Sequence, residues 1–319
     1  MRPRACVVLV SLLVVSLGAL PARADHLSAF GRDVRLRLDV RIPDPGGVVA
    51  GFGSVWVQSA RRGSIVRISP QGGVLTTYRH VSRNPGLRGR FAGSRTVDVA
   101  FGSLWSLVGE HLLRIDPGTG EVVADIHVPG SSTTIAAGHG GVWVANFRAR
   151  LLRVDPRVNR VVAWTDLSAS PSSIAVGAGR VWVMNISEAW SLSEISPRTG
   201  EIIRNIDSPY DEYVTVADHR VWAASVDGAI SPLHRGTNRF GSPERVAGRI
   251  MSVAIGSGTL WLNAGRLIGI DPDSGKVVQS TRVAHPEEAN VGIAQLRRRV
   301  WLAEPARDRV VGVRAPAGA

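Results

Sequence analysis

The chain has 319 residues, with 38 Lys and Arg against 26 Asp and Glu and a formal net charge of +12. At 44% hydrophobic and 20% charged residues it is too apolar for a disordered polymer, and a chain this long can bury a large core. One cysteine, Cys6, excludes a disulfide framework and any site built on paired thiolates.

The first 24 residues read as an address. Arg2 and Arg4 precede a nearly unbroken apolar run from Cys6 to Leu20, and Pro21-Ala-Arg-Ala24 ends it on small residues. That is the pattern of a secretory signal peptide cleaved near Ala24, too short and wrongly flanked for an ordinary membrane span. An uncleaved N-terminal anchor is the competing reading. Cleavage leaves a mature charge of about +9 and a secreted or extracytoplasmic protein. The 37 Arg against one Lys are read as coding bias of a GC-rich bacterial genome. The arginines are spread over the whole chain rather than gathered in a stripe, which argues against nucleic acid. Anionic wall polymers or lipid headgroups are the better electrostatic partners.

A short segment, 25–32, leads to Asp33–Ile42, a strict apolar/polar alternation that predicts a half-buried strand. From there a single pattern repeats, marked by Trp56, Trp105, Trp143, Trp182, Trp222, Trp261 and Trp301. The spacings are 49, 38, 39, 40, 39 and 40 residues. A period near 40 without helical stretches predicts propeller blades, each one four-stranded sheet. Val or Leu precedes every marker Trp, which suits a strand buried on both faces. Gly stands three residues before the Trp in five repeats (Gly53, Gly102, Gly140, Gly179, Gly258), where a tight hairpin needs positive φ. A second turn follows the Trp in the first six repeats, clearest as Asp116-Pro-Gly-Thr-Gly120, Ser196-Pro-Arg-Thr-Gly200 and Asp271-Pro-Asp-Ser-Gly275 and looser at Ser69-Pro70, Asp155-Pro156 and His234–Asn238.

The last repeat, ending near Ala315, lacks a fourth strand. Asp33–Ile42 is the natural one to complete it and close the ring. The predicted fold is therefore all-β: a seven-bladed β-propeller of four-stranded antiparallel blades over 33–315, its last blade closed by the N-terminal strand. Residues 316–319 form a tail.

Loops joining the second strand to the third, and each blade to the next, emerge on one face. The longest is Arg79–Thr96, carrying Arg79, His80, Arg83, Arg88, Arg90 and Arg95. Ser208–Tyr213, with Tyr210, Asp211, Glu212 and Tyr213, and Ala284–Asn290 are the acidic loops of that face. His111, Glu188, Trp190 and Asn290 are placed there as well, and this set is the predicted ligand-binding surface. No residue is assigned to catalysis. His285, Glu287 and Glu288, with Glu304, are the weak candidates for metal or acid–base chemistry. There is no H-E-x-x-H, C-x-x-C, G-x-S-x-G or Walker sequence. The recurrent Gly-x-Gly leads into a Trp strand, not a helix, so it is a hairpin signal and not a dinucleotide fingerprint. Asp271–Gly275 lacks the later ligands of a calcium loop, and Asn185-Ile-Ser187 is a formal glycosylation sequon.

The pattern A-x-G-x-G-x-V-W-V-A-N followed by L-x-R-I-D-P-x-T-G-x-V-V, clearest at Ala100–Val123, Ile135–Val162 and Ile174–Ile203, resembles the YVTN-type seven-bladed propellers. It is also similar to the wider group of NHL-repeat proteins and streptogramin B lyase. The likeness spans Asp33 to Ala315 and implies a binding module, holding a polar ligand, a cell-envelope polymer or a protein as a monomer without a cofactor. The alternative it implies is a metal-dependent lyase that opens a cyclic depsipeptide, with Mg2+ or Ca2+. Lyase repeats favour W-F-T-E, whereas this chain has Trp-Val-Ala-Asn146, Trp-Val-Met-Asn185 and Trp-Leu-Ala-Glu304. Only the last keeps the acid, so the metal constellation does not transfer residue by residue.

Overall fold

The computed structural model describes residues 38–59, 63–79, 96–186, 190–217, 219–246, 248–282 and 292–315. The signal-peptide segment and the loop residues His80, Arg83, Arg88, Arg90, Arg95, Glu188, His285, Glu287, Glu288 and Asn290 lie outside them.

Seven antiparallel sheets form the molecule. In chain order they span 45–78, 97–127, 132–166, 170–207, 213–245, 252–282 and 293–314, and are called blades 1 to 7. Their inner strands touch in sequence all the way round, blade 7 returning to blade 1. The seventh blade takes its outer strand from the start of the domain: Leu38–Arg41 pairs antiparallel with Arg309–Arg314, in the register Leu38 to Gly312 and Arg41 to Arg309. The predicted closure is therefore present, and it leaves no broken sheet between first and last blades. Among the described residues there is no α-helix, only one 3-10 turn at Pro305–Arg307.

The repeat has a physical reason at each step. Val181, Trp182 and Val183 are fully buried, as expected for a strand covered on both sides by neighbouring blades. The core is correspondingly a ring of seams: one cluster joins Trp56 and Ile65 of blade 1 to Val97 and Leu104 of blade 2. Another joins Trp105 and Leu107 to Val142 and Val144 of blade 3. The two glycines before Trp182 do different work. Gly179 has φ +76°, the left-handed turn position, whereas a Cβ on Gly177 would come within 2.8 Å of Val216 in the next blade. The marker indole then donates back across the hairpin. Trp182 Nε1 bonds Gly177 O at 3.2 Å, and Trp56, Trp105 and Trp143 bond Gly51, Ala100 and Gly138 in the same way.

The second turn is fixed by its first residue. Asp116 Oδ1 accepts from the backbone N–H of Gly118 and of Thr119, both at 2.8 Å, and Gly120 takes φ +78°. Those N–H groups, Thr119 first, hold the Asp116 carboxyl below the ordinary carboxylate range. Asp271 repeats the arrangement with Ser274 and Asp273.

Blades 1 to 3 are also latched to the following blade by an arginine on the third strand, opposite the Trp. Arg114 lies 5.4 Å from the Trp105 ring centroid, and its Nη1 donates to Pro156 O at 2.8 Å and Asn159 Oδ1 at 2.9 Å in blade 3. Arg67 and Arg153 stack on Trp56 and Trp143 and reach Pro117 O and Arg198 O. Blade 4 inverts this latch. Glu194 occupies the arginine's place, and Arg235 reaches back from blade 5 over Trp182 at 5.6 Å. The Glu194 side chain, 2% exposed, holds Arg180 at 2.9 Å, Arg204 at 2.8 Å and Arg235 at 3.5 Å. Blade 5 departs from the rule, since its outer strand is split into Arg239–Phe240 and Glu244–Arg245.

Candidate functional site

The antiparallel order puts all first and third turns of the blades at one end, here the lower face. The loops between second and third strands and between blades lie at the opposite, upper face. The upper end of the central channel is the candidate site, because the regular inner strands are interrupted there. Register shifts fall between Pro45 and Val48, between Ser132 and Thr134, and between Pro171 and Ser173. A β-bulge re-aims side chains, and the second and third of these place small polar residues at the mouth, whereas the first holds only Gly46 and Gly47. Thr133 Oγ1 donates to Ala145 O at 3.3 Å, and Ser172 Oγ lies 3.4 Å from Met184 O and 3.5 Å from Asp211 O. Ser173 Oγ meets both N and O of Val214, at 3.3 and 3.4 Å. Across the first seam, Thr96 Oγ1 donates to Gln58 Oε1, and Gln58 Nε2 reaches Ser106 Oγ at 3.3 Å. The runs Ser-Ser-Thr-Thr134 and Ser-Pro-Ser-Ser173 carried this signal, and period reading passed over it.

The predicted loop Ser208–Tyr213 divides into wall and mouth. Tyr210 is 3% exposed and stands edge-on to Phe240 at 5.3 Å, part of the core between blades 4 and 5. Tyr213 is buried as well, and its hydroxyl donates to Met251 O at 2.8 Å, tying blade 5 to blade 6. Burial and the nearby carboxylates of Glu212 and Asp211 push its phenol pKa up. Both tyrosines thus hold blades together where the sequence placed them on a ligand surface. Asp211 and Glu212 remain half-buried at the mouth. Asp211 Oδ1 accepts from Val226 N–H at 3.3 Å. The Glu212 carboxyl is raised above its ordinary pKa, first by burial and then by the charge of Asp211.

The other predicted residues are dispersed. Arg79 is exposed at the upper end of blade 1, and Thr96, the next described residue, is buried. Trp190 is half-buried at the head of the third strand of blade 4, where its carbonyl accepts from Ser208 N–H at 2.9 Å. His111 pairs with the outer strand of its own blade, Nδ1 lying 2.7 Å from Asp125 Oδ1 and the ring 5.8 Å from His127. Glu304 is 1% exposed; its Oε2 meets Arg309 Nε at 2.5 Å inside blade 7, while its Oε1 is buried without a hydrogen-bond partner. Asn146 and Asn185, at the same place in the repeat, and Asn263, one residue earlier in its own, are also buried. Asn146 bonds Pro129 O and receives the N–H groups of Arg148 and Arg150, pinning the loop after the Trp strand. Asn185, fully buried against Ser193 Oγ at 2.8 Å, is closed to glycosylation. Among the described residues no three His, Cys, Asp or Glu converge as metal ligands, and Glu304 in its ion pair does not suit a divalent cation.

This geometry can be set beside known proteins. No family model matches the sequence, and no curated protein matches it. Among solved structures, a streptogramin B lyase superposes with a TM-score of 0.70 at 15% identity, covering 89% of this chain and 97% of that one. Its fold is similar to that of the streptogramin B lyase propellers. The virginiamycin B lyase of Staphylococcus aureus gives the same score and identity, over 87% of this chain and 98% of the other. The Pan2 WD40 domain of Neurospora crassa follows at 0.69 and 12% identity, over 89% and 96%. These likenesses are of fold, since one propeller scaffold carries many functions.

Proposed function

We propose that the chain is an exported binding module that takes a polar ligand at the upper mouth of its channel, with Asp211 and Glu212 receiving a cationic or hydrogen-bond-donating group. The observation that carries this reading is Glu212. Its carboxyl is drawn half out of water beside a second carboxylate, and no hydrogen bond or ion pair of its side chain offsets that cost among the described residues. A donor ligand arriving there supplies the missing partner. The small hydroxyls at the bulges of Thr133 and Ser172 add neutral donors and acceptors around it. Segment 80–95, with its arginines, joins Arg79 to Thr96 at the same end and supports a mixed-charge ligand. Export rests on the leader pattern of residues 1–24, and among the described residues no helix is long and apolar enough to cross a membrane.

A low-salt binding screen against cell-wall fragments, glycans and peptides tests the reading. The expected result is a ligand held by the parent and lost by Asp211→Asn with Glu212→Gln. A ligand held equally by both proteins places the site elsewhere.

The fold likeness to two lyases motivates one second reading, a metal-dependent opening of a cyclic depsipeptide. It would rest on His285, Glu287 and Glu288. Incubation with a streptogramin B depsipeptide and Mg2+, followed by mass, separates the two. A linear product that chelator abolishes establishes the lyase, and unchanged depsipeptide favours the binding module.

A further inference from the structure

The lower face carries two features that the site at the upper mouth does not use. Ten of the twelve exposed large hydrophobics lie in its turns or in the first three residues of the outer strands rising from it. They include Phe52, Phe101, Leu75, Val123, Val158 and Ile203. Such an uneven distribution marks a contact surface rather than scattered surface apolarity. The same end is cationic. Counting the lower turns with three strand residues on either side, the described residues hold sixteen Lys and Arg against nine Asp and Glu; the other described residues hold ten against eleven.

Phe52 and Phe101 are the telling positions. They occupy equivalent turns of the adjacent blades 1 and 2, each just before the turn glycine, with φ of 52° and 54°. A bulky side chain in the left-handed region is unusual, and Asn or Asp fills this turn position with less strain. Yet both rings stand 44% and 39% exposed. Neither packing nor turn geometry asks for an aromatic side chain there.

We propose that the lower face docks the propeller on an anionic lipid bilayer, with Phe52 and Phe101 entering the headgroup region and the surrounding arginines facing lipid phosphates. A second copy does not suit, because two cationic faces repel. Single-stranded nucleic acid would meet the charge and could stack on the rings, but a phosphate backbone offers the Val, Leu and Ile side chains nothing to bury against. A bilayer interface takes both charge and apolar surface. The path of the chain agrees. Leu38 begins the closing strand at the lower end, where its side chain lies against Gly72 of a lower turn. The closing strand therefore enters the domain from the face proposed to meet the membrane. This proposal is independent of the upper-face ligand.

The test is sedimentation of the full chain with vesicles of phosphatidylglycerol and phosphatidylcholine, and with pure phosphatidylcholine, at low and high salt. The variant is Phe52→Asn with Phe101→Asn, which suits the turn conformation and leaves folding intact, as a melting curve checks. The parent is expected to sediment with anionic vesicles, less so at high salt, and weakly with neutral ones. The double variant should lose roughly tenfold or more in partitioning. Failure of the parent to bind anionic vesicles overturns the proposal. So does binding that survives both substitutions, since it then belongs to the leader segment or to charge alone. An oligonucleotide that binds the parent when vesicles do not would assign the face to nucleic acid instead.

Discussion

Ring closure gives the prediction that can be worked furthest. Ile42 follows the closing strand and is 1% exposed, packed in a cluster with Val40, Val310 and Val311 of blade 7 and Val55 and Ile68 of blade 1. Its N–H donates to Asp308 O at 2.8 Å, and Asp44 N–H donates to Asp308 Oδ1 at 2.8 Å. Ile42→Ala keeps these backbone bonds and empties the side-chain site. Truncating a buried Ile to Ala costs about 2–5 kcal/mol, more where the surroundings cannot collapse. Here the cavity sits between two sheets fixed by their own ladders, so about 3–4 kcal/mol is expected. For a domain of this size class each kcal/mol shifts Tm by roughly 2–4 °C, so the melting point should fall by roughly 6–16 °C. Val74→Ala, at a site 51% exposed, is the control and should stay within about 2 °C. Thermal melting by circular dichroism reads both. If Ile42→Ala melts with the parent, the terminal strand does not carry closure and the seam is held by blades 1 and 7 alone.

Glu194→Gln leaves Arg180, Arg204 and Arg235 without their shared carboxylate and should destabilise by about 2–3 kcal/mol in denaturant titration, discounted because all three arginines are partly exposed. Arg150→Ala, breaking an exposed pair with Asp166, should cost under about 0.5 kcal/mol by the same assay. Arg114→Lys keeps the charge but cannot reach Pro156 O, Asn159 and Ser103 together, so a loss of about 1–2 kcal/mol is expected; an unchanged melt would mean the latch is idle. Glu212→Gln tests the mouth through pH. Because the folded pKa is raised, the folded state keeps its proton after the unfolded state has lost it, and stability falls as pH rises from the unfolded value through the folded one. The variant should match the parent near pH 4 and melt higher at pH 7–8; a variant less stable at pH 8 would show that the charged carboxylate has a partner.

Much of this architecture was legible in the chain because its causes are local and repeated. A strand covered on both sides must be apolar at consecutive positions, and a two-residue hairpin demands Gly at a fixed offset. Those demands wrote the Val/Leu-Trp strand seven times and the turn Gly five times, so the blade count, and closure by a strand placed within Asp33–Ile42, could be read without coordinates. The loop Ser208–Tyr213 could be placed on the upper face for the same reason, but which of its side chains reach the mouth could not. Tyr210 and Tyr213 face Phe240 and Met251 O, partners lying in the next blade and the one beyond, and no local pattern distinguishes a wall tyrosine from an exposed one. The bulges at Thr133 and Ser172, the inverted latch at Glu194 and the burial of Asn185 have the same origin. Each depends on contacts between strands folded against one another or between adjacent blades, roughly one repeat apart in sequence. The gathering of apolar and cationic residues at the lower end is the extreme case. The residues are scattered from Phe52 to Arg314, and they share a face only because every blade runs in the same direction around one closed ring.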